Sequence, residues 1–251
     1  MIKVGCCGFS KARAEYFQHF SLVEVQRTFY KLPRLETCQR WRAEAPPAFE
    51  FALKAWQLIT HRPTSPTYRK AKLKVDRPDR YGSFRPSDEV LGAWEDTLEV
   101  AKVLKARVVL FQCPASFTPT PEHMANMRTL FGTADRAGLI LAWEPRGGWS
   151  DEEVGELCRE LDLIHCADPF QRLPVRGEPA YFRLHGKTGY GYRYSDDDLK
   201  TILELCGKHP EVYCLFDNIS MFDDALRLQA RVSFSAADHR ELPSCGTSQR
   251  L

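Results

Sequence analysis

The chain has 251 residues, 43% of them hydrophobic and 27% charged, with a formal net charge of +2. That length suits one domain with a full core, and so mild a charge argues against a protein built to coat nucleic acid or a membrane surface. No apolar run approaches the roughly 18 residues a spanning helix needs, and Met1 to Gly8 reads as a strand with no secretory apolar region. A cytoplasmic location is expected. Nine cysteines, an odd count with no CxxC spacing, are then expected to be mostly free thiols.

Short runs rich in branched and aromatic residues recur along the chain. They are Lys3–Cys7, Val23–Gln26, Phe49–Lys54, Val108–Cys113, Leu139–Glu144, Ile164–Asp168, Tyr181–His185 and Val212–Phe216. Helical signals separate most of them. Asp88 to Lys105 carries Leu91, Trp94, Leu98, Ala101 and Leu104 on one face. Thr120 and Pro121 suit the start of a helix reaching about Arg136. Ser150 with Glu153 makes a capping box before Asp151–Leu161, and Ser195 with Asp198 repeats the pattern before Leu199–Cys206. Asp223–Gln229 reads as the closing helix.

Strands alternating with helices indicate parallel βα units. The expected fold is α/β, a single (β/α)8 TIM-type barrel over residues 1–235, followed by a polar C-terminal tail, 236–251. Two connections depart from regularity. Pro169–Pro179, after the sixth strand, is too short for a helix. His61–Ser87 is long, proline-rich and basic, with Arg69, Lys70, Lys72 and Lys74, and is a candidate flap over a ligand.

Side chains alternate faces along a strand, so each run divides into two sets. Phe182 and Leu184 oppose Tyr181, Arg183 and His185; Val23 and Val25 oppose Glu24 and Gln26. Phe51 and Leu53 oppose Glu50, Ala52 and Lys54; Leu141 and Trp143 oppose Ala142 and Glu144. The apolar sets fit the helix-covered outside, which leaves the charged sets facing the barrel axis. Structural ion pairs there, such as Glu24 with Lys54 or Glu144 with Arg183, are one reading. A site is favoured, because Lys54, Gln112, Glu144, Asp168, His185 and Asp217 close their strands, the end where barrel enzymes build their sites.

The residues also carry a family resemblance. Glu24-Val25-Gln26-Arg27-Thr28-Phe29-Tyr30, Phe51-Ala52-Leu53-Lys54 with Ile59-Thr60-His61, and Phe111-Gln112-Cys113-Pro114-Ala115-Ser116-Phe117 follow in order. Glu144-Pro145-Arg146 with Trp149, Tyr181-Phe182-Arg183-Leu184-His185-Gly186 and Phe216-Asp217-Asn218 complete the series. Together they resemble the YecE-like family, also called domain of unknown function 72, from the first strand to the last helix. The resemblance implies a TIM-barrel-like fold and brings no established activity. The chain departs from the commoner pattern in Cys6-Cys7, in Cys113 where proline is usual, in Asp217 where asparagine is common, and in lacking glycine over Ile219–Asp224.

The favoured reading is an enzyme, hydrolase-type in preference, acting on a small anionic or phosphate-bearing ligand by acid–base chemistry. Glu144, His185, Asp168 and His61 are the catalytic candidates, histidine titrating near neutral pH. Lys54, Arg146 and Arg183 would hold the anion, and Glu24, Gln112, Tyr30, Asp217 and Asn218 complete the binding set. A metal-dependent hydrolase or endonuclease-IV-like nuclease is the alternative, since His61, Glu144, Asp168, His185 and Asp217 are acceptable ligand types. Neither HxH nor HExxH spacing supports it, and no cofactor can be named. A non-catalytic module for nucleic acid or a phospho-ligand is a third reading, from the aromatic and basic run Tyr190–Tyr194. Cys6, Cys113, Cys166 and Cys214 fall on four strands, but small buried core residues explain them best.

Overall fold

In the computed structural model, which describes residues 1–238, eight parallel strands close into a barrel in chain order. They are β1 (Ile2–Cys7), β2 (Leu22–Val25), β3 (Glu50–Lys54), β4 (Val108–Gln112), β5 (Ile140–Glu144), β6 (Ile164–Ala167), β7 (Ala180–Leu184) and β8 (Val212–Phe216). Each end lies within one residue of its expected place. β8 closes on β1 with Val4 opposite Cys214 and Cys6 opposite Phe216.

Between the strands come α1 (Arg13–His19), α2 (Arg27–Tyr30), α3 (Leu35–Glu44), α4 (Gln57–Thr60), α5 (Pro66–Ala71) and α6 (Asp88–Leu104). The second half adds α7 (Pro121–Thr133), α8 (Asp151–Glu160), α9 (Asp196–Cys206) and α10 (Met221–Asp238). Both capping boxes form: Ser150 Oγ accepts from the Glu153 N–H at 3.1 Å, and Ser195 Oγ from the Asp198 N–H at 3.1 Å. α6 starts on Ser87, which accepts from the Val90 N–H, and stops at Lys105 in the left-handed region. It buries Val90, Trp94, Leu98, Ala101 and Leu104, each large apolar side chain contributing about 1.5–3 kcal/mol. α10 is longer than the expected Asp223–Gln229, so residues 236–238 of the expected tail continue it; the rest of the tail lies outside the described residues. Among the described residues no helix is long and apolar enough to cross a membrane.

The alternation holds. Phe51, Leu53, Phe111, Trp143, Phe182 and Phe216 pack outward against the helices, while Leu22, Ala52, Leu110, Ala142, Tyr181 and Leu215 fill the barrel. The N-terminal mouth is sealed by charge. Lys3 Nζ bridges Glu50 at 2.5 Å and Glu211 at 2.8 Å, Arg107 clamps Glu211 at 2.6 and 2.9 Å, and the Tyr213 hydroxyl donates to Glu50. The opposite mouth is therefore the end at which a ligand can enter.

The connection from β6 to β7 has turns and no helix. It folds back along β6 instead: the His165 N–H donates to the Arg176 carbonyl at 2.8 Å, and the Val175 N–H to His165 Nδ1 at 3.1 Å. The long basic segment after His61 is tied down at several points. The Tyr68 hydroxyl donates to the His61 carbonyl at 3.0 Å, and the N–H groups of Gly82, Ser83 and Phe84 bond back to α4 at 2.9, 3.1 and 2.9 Å. Phe84 is fully buried. The segment is thus anchored beside α4 at Tyr68 and again at residues 82–84.

Candidate functional site

The site grows from one arginine. β7 turns Arg183 toward the barrel axis, where it is 0% exposed. An isolated buried ion is very costly, so its guanidinium must be matched by anions at hydrogen-bond range. Nη1 donates to Glu144 Oε2 at 2.6 Å, at the end of β5. Nη2 donates to Asp217 Oδ2 at 2.8 Å, just past β8, and lies 3.1 Å from Glu24 Oε1 on β2. Glu24 Oε2 also accepts from the Tyr181 hydroxyl at 2.8 Å. Three strands thus supply carboxylates to one fork. Of the ion pairs the sequence suggested, Glu144 with Arg183 forms, but Glu24 goes to Arg183 rather than to Lys54.

Burial would push the Glu144 carboxyl up, but Arg183, Arg146, His185 and Lys54 outweigh it and hold it down at about 2. It is ionised throughout the ordinary pH range. Its Oε1 accepts from Arg146 Nε at 2.9 Å and stands 3.5 Å from His185 Nε2. Arg146 Nη2 and Arg183 Nη1 approach that same ring nitrogen at 2.9 and 3.2 Å. Two donors at Nε2 fit the tautomer with its proton on Nδ1, which faces Asp168 Oδ2 at 3.5 Å. Asp168 is itself fixed, accepting from the N–H groups of His185 at 3.0 Å and Phe170 at 3.1 Å.

Glycine holds two of these side chains in place. Gly186 follows His185 at φ +88°, and a side chain there would run into the Gly189 carbonyl and Tyr192. Gly147 follows Arg146 and lies against the Phe117 carbonyl so closely that a Cβ would not fit.

Lys54 ends β3 and is 7% exposed. Its ammonium lies 4.2 Å from the centre of the Phe29 ring and makes no ion pair or side-chain hydrogen bond with any described residue. Burial, reinforced by Arg183, lowers its pKa from 10.5 to about 8 against the pull of Glu144, Glu24 and Asp217. His61 is 4% exposed and stands edge-on to Phe29 at 4.9 Å. Burial first, then Lys54 and Arg146, push it from 6.5 to about 3, so its ring is neutral at physiological pH.

Two clefts open at this mouth and share Arg146, Gln171 and His185. One, of about 460 Å³, is lined by Lys54, His61, Gln112, Tyr30, Asp217 and Lys187 among others. The second, of about 390 Å³, runs over Glu144, His165, Asp168 and Arg172. Most of the candidate residues therefore meet in one place. Asn218 does not line either cleft. Fully buried, it donates to the Tyr192 carbonyl at 2.7 Å and to Asp224 Oδ2 at 2.8 Å, and so braces the chain after β8. Glu24 is also fully buried, beneath the cleft.

Sequence reasoning passed over Lys187, Gln171, Arg172 and His165. Lys187 stands directly beyond the His185-Gly186 strand end, a signal that could have found it. The other three depend on the path of the helix-free connection after β6.

The cysteines are core residues: every cysteine among the described residues is a buried free thiol. Cys113 points outward, accepting from Trp143 Nε1 at 3.3 Å, and burial raises its thiol pKa. Among the described residues no group of three or more His, Cys, Asp or Glu is arranged to hold a metal ion. Where Glu24, Glu144 and Asp217 converge, the guanidinium of Arg183 occupies the centre. This donor set does not fit a metal.

A parallel eight-stranded barrel with one sealed mouth and one charged, clefted mouth defines a TIM-barrel protein with a candidate site at its C-terminal face. The family model described as Protein of unknown function DUF72 matches residues 8–246, and the chain belongs to that family. UPF0759 protein YunF of Bacillus subtilis (strain 168) is 22% identical over 244 residues, covering 84% of this chain and 81% of that protein. A DUF72 family protein from Enterococcus faecalis V583 superposes with a TM-score of 0.68 at 21% identity, over 93% of this chain and 98% of that one. Endonuclease IV from Thermus thermophilus does so with a TM-score of 0.54 at 14% identity, over 94% and 99%. At these identities the likeness to the solved structures is one of fold, and function has to be argued from the site.

Proposed function

We propose that the protein is an enzyme that binds a small anionic, phosphate- or carboxylate-bearing substrate at the C-terminal mouth and moves a proton on it through His185. The observation that carries this reading is the cleft in which Lys54, Arg146, His185 and Lys187 meet while Arg183 engages the carboxylates beneath. Lys54 is thereby left without a carboxylate partner, while Arg146 rests on Glu144 and Lys187 on Asp198 at 2.9 Å, from which a ligand anion would draw them. Arg146 is the anion fork, since a planar guanidinium matches phosphate and carboxylate oxygens. A ligand that draws Arg146 away leaves His185 Nε2 with only the longer approach of Arg183 Nη1 at 3.2 Å, opening that nitrogen to a substrate proton, while Asp168 at Nδ1 orients the ring. Glu144, held ionised, positions Arg146 and Arg183 rather than carrying a proton. His61, held neutral, is a hydrogen-bonding group of the cleft wall.

The nuclease reading has only the fold likeness behind it, and the guanidinium among the carboxylates speaks against a metal there. Calorimetry with inorganic phosphate tests anion binding directly, and a panel of phosphorylated and carboxylated small molecules tests turnover. Wild-type protein should bind phosphate, R146M should bind it far more weakly, and H185N should bind it without turnover of any panel substrate. Wild-type protein that binds neither phosphate nor a small carboxylate would sink this reading.

A further inference from the structure

We propose that Lys54 is a nucleophilic amine that forms a reversible imine with the carbonyl carbon of a small oxo-anion, an aldehyde or ketone carrying a carboxylate or phosphate. This deepens the reading above by naming the substrate class, and it rests on that cleft being the binding site.

A lysine placed for charge compensation sits against a carboxylate. Lys54 does not, although Glu24, Glu144 and Asp217 are all nearby, because Arg183 bonds to them first. What lies beside the nitrogen is the face of Phe29 at 4.2 Å, which steadies a cation but offers no oxygen to hold the N–H groups. The lone pair of the neutral amine has no competing donor among the described residues, and the side chain, though 7% exposed, opens on the cleft. Its pKa of about 8 leaves roughly a tenth of the amines neutral near neutral pH, about 300-fold more than for an ordinary lysine. Arg146 lines the same cleft, 42% exposed, and its guanidinium would bind the anionic end of the substrate; Lys187, also on the cleft, is paired with Asp198 at 2.9 Å.

The chemistry balances without an added oxidant or reductant. The amine pair attacks the carbonyl carbon, and the proton that nitrogen sheds passes to the oxygen to give a carbinolamine. A second proton, from solvent, lets the hydroxyl leave as water while nitrogen forms the protonated C=N bond, and water reverses the step. His61 remains a hydrogen-bonding partner here: neutral, with Nδ1 2.8 Å from Thr60 Oγ1 and Nε2 without a hydrogen bond to a described residue, it can hold the carbinolamine hydroxyl while solvent carries the protons. The protonated imine then draws electrons from the adjacent carbon, which makes removal of a proton there by His185 easier.

Trapping tests this on the intact protein. Wild-type protein is incubated with glyoxylate, or separately with glycolaldehyde phosphate, in the presence of sodium cyanoborohydride, and peptides are mapped by mass spectrometry. Glyoxylate should give carboxymethyl-lysine at Lys54 at least about tenfold faster than at Lys187 in the same cleft or at Lys70 on its rim. The rate should rise with a midpoint near 8, and inorganic phosphate should slow it. K54R should lose the Lys54 adduct while the other lysines label as before. Lys54 labelling no faster than Lys187 would overturn the imine, even with phosphate binding intact. Acetaldehyde labelling Lys54 as fast as glyoxylate would support the imine and count against the anion-binding reading instead.

Discussion

Arg183 Nη1 and Glu144 Oε2 meet at 2.6 Å inside the barrel, joining β7 to β5 past the intervening β6. This bond places the charge of the site: with Arg183 bonded to Glu144 and Asp217 and paired with Glu24, Lys54 is left without a carboxylate partner, and Arg146 holds the other oxygen of Glu144 at the mouth of the cleft.

The first prediction concerns that arginine. Arg183→Met keeps the bulk and removes the charge, so Glu24, Glu144 and Asp217 lose their shared partner in a buried place. Breaking such a network typically costs about 3–5 kcal/mol. Denaturant unfolding at neutral pH should show a loss of that size, and mild acid, which protonates the abandoned carboxylates, should restore part of it. An R183M protein as stable as wild type would mean that the pairs contribute nothing net.

The second prediction is the acid limit of stability. Glu144 falls from 4.5 to about 2 and His61 from 6.5 to about 3 on folding. In both, the folded state binds fewer protons than the unfolded chain, so stability rises with pH. His61 adds no term above about 6.5 and a cost that grows as pH falls toward 3; the stabilisation from Glu144 is present above 4.5 and disappears toward 2. Chemical unfolding followed from pH 7 downward should show H61Q with a flatter slope than wild type between those limits. Parallel slopes in the two proteins would contradict the buried neutral ring.

Much of this arrangement was legible beforehand, and the parts that were not share a physical cause. The period-2 alternation in Tyr181–His185 and Phe49–Lys54 is local, so it announced which side chains face the axis. The Ser150 and Ser195 capping boxes are local too. α2, α4 and α5 are only four, four and six residues long, too short for a 3.6-residue period to register. The lone state of Lys54 follows from Arg183 drawing carboxylates from three other strands, and the neutral state of His61 from burial. Neither is written in any one segment. Asn218 lies beside Asp217 in the chain, yet its amide is drawn to Tyr192 and Asp224, which only the closed barrel brings near.

A third prediction separates positioning from stability. Arg146 is 42% exposed, and its bonds to Glu144 and His185 reach the mouth of both clefts. Arg146→Met should change unfolding stability by less than about 1 kcal/mol. It should also weaken inorganic phosphate by about tenfold or more, since a charge-assisted anion contact contributes on the order of 1.5–3 kcal/mol. Equal phosphate affinity in the two proteins, read by calorimetry, would remove Arg146 from the binding site.

The turn beyond β7 gives a fourth. Gly186 sits at φ +88° with its hydrogens against the Gly189 carbonyl and Tyr192. Gly186→Ala should cost about 1–3 kcal/mol from backbone strain alone, more if the turn must open. Because the turn sets the direction of His185, its ring resonances should shift in NMR spectra even where the variant remains folded. A G186A protein with wild-type stability and unshifted His185 signals would refute this role for the turn.

The last prediction follows from a lysine held where its charge is unwelcome. Lys54 drops from 10.5 to about 8 on folding, so the folded state favours the neutral amine. By the same linkage, its cost is fully felt below 8, fades as pH rises, and is gone above about 10.5. The difference corresponds to about 3 kcal/mol at 1.36 kcal/mol per pH unit, and the Phe29 ring beneath the ammonium is part of that balance. Lys54→Met, similar in length and uncharged, should therefore be more stable than wild type at neutral pH by about 1–3 kcal/mol. The gain should shrink as the pH approaches 10.5, and it should come with loss of carbonyl trapping at this position. Structural roles for a buried lysine predict the opposite sign, because removing a needed cation destabilises. Thermal unfolding of K54M across that pH range distinguishes the two: a destabilised variant would mean that Lys54 holds the barrel together rather than waiting for a ligand.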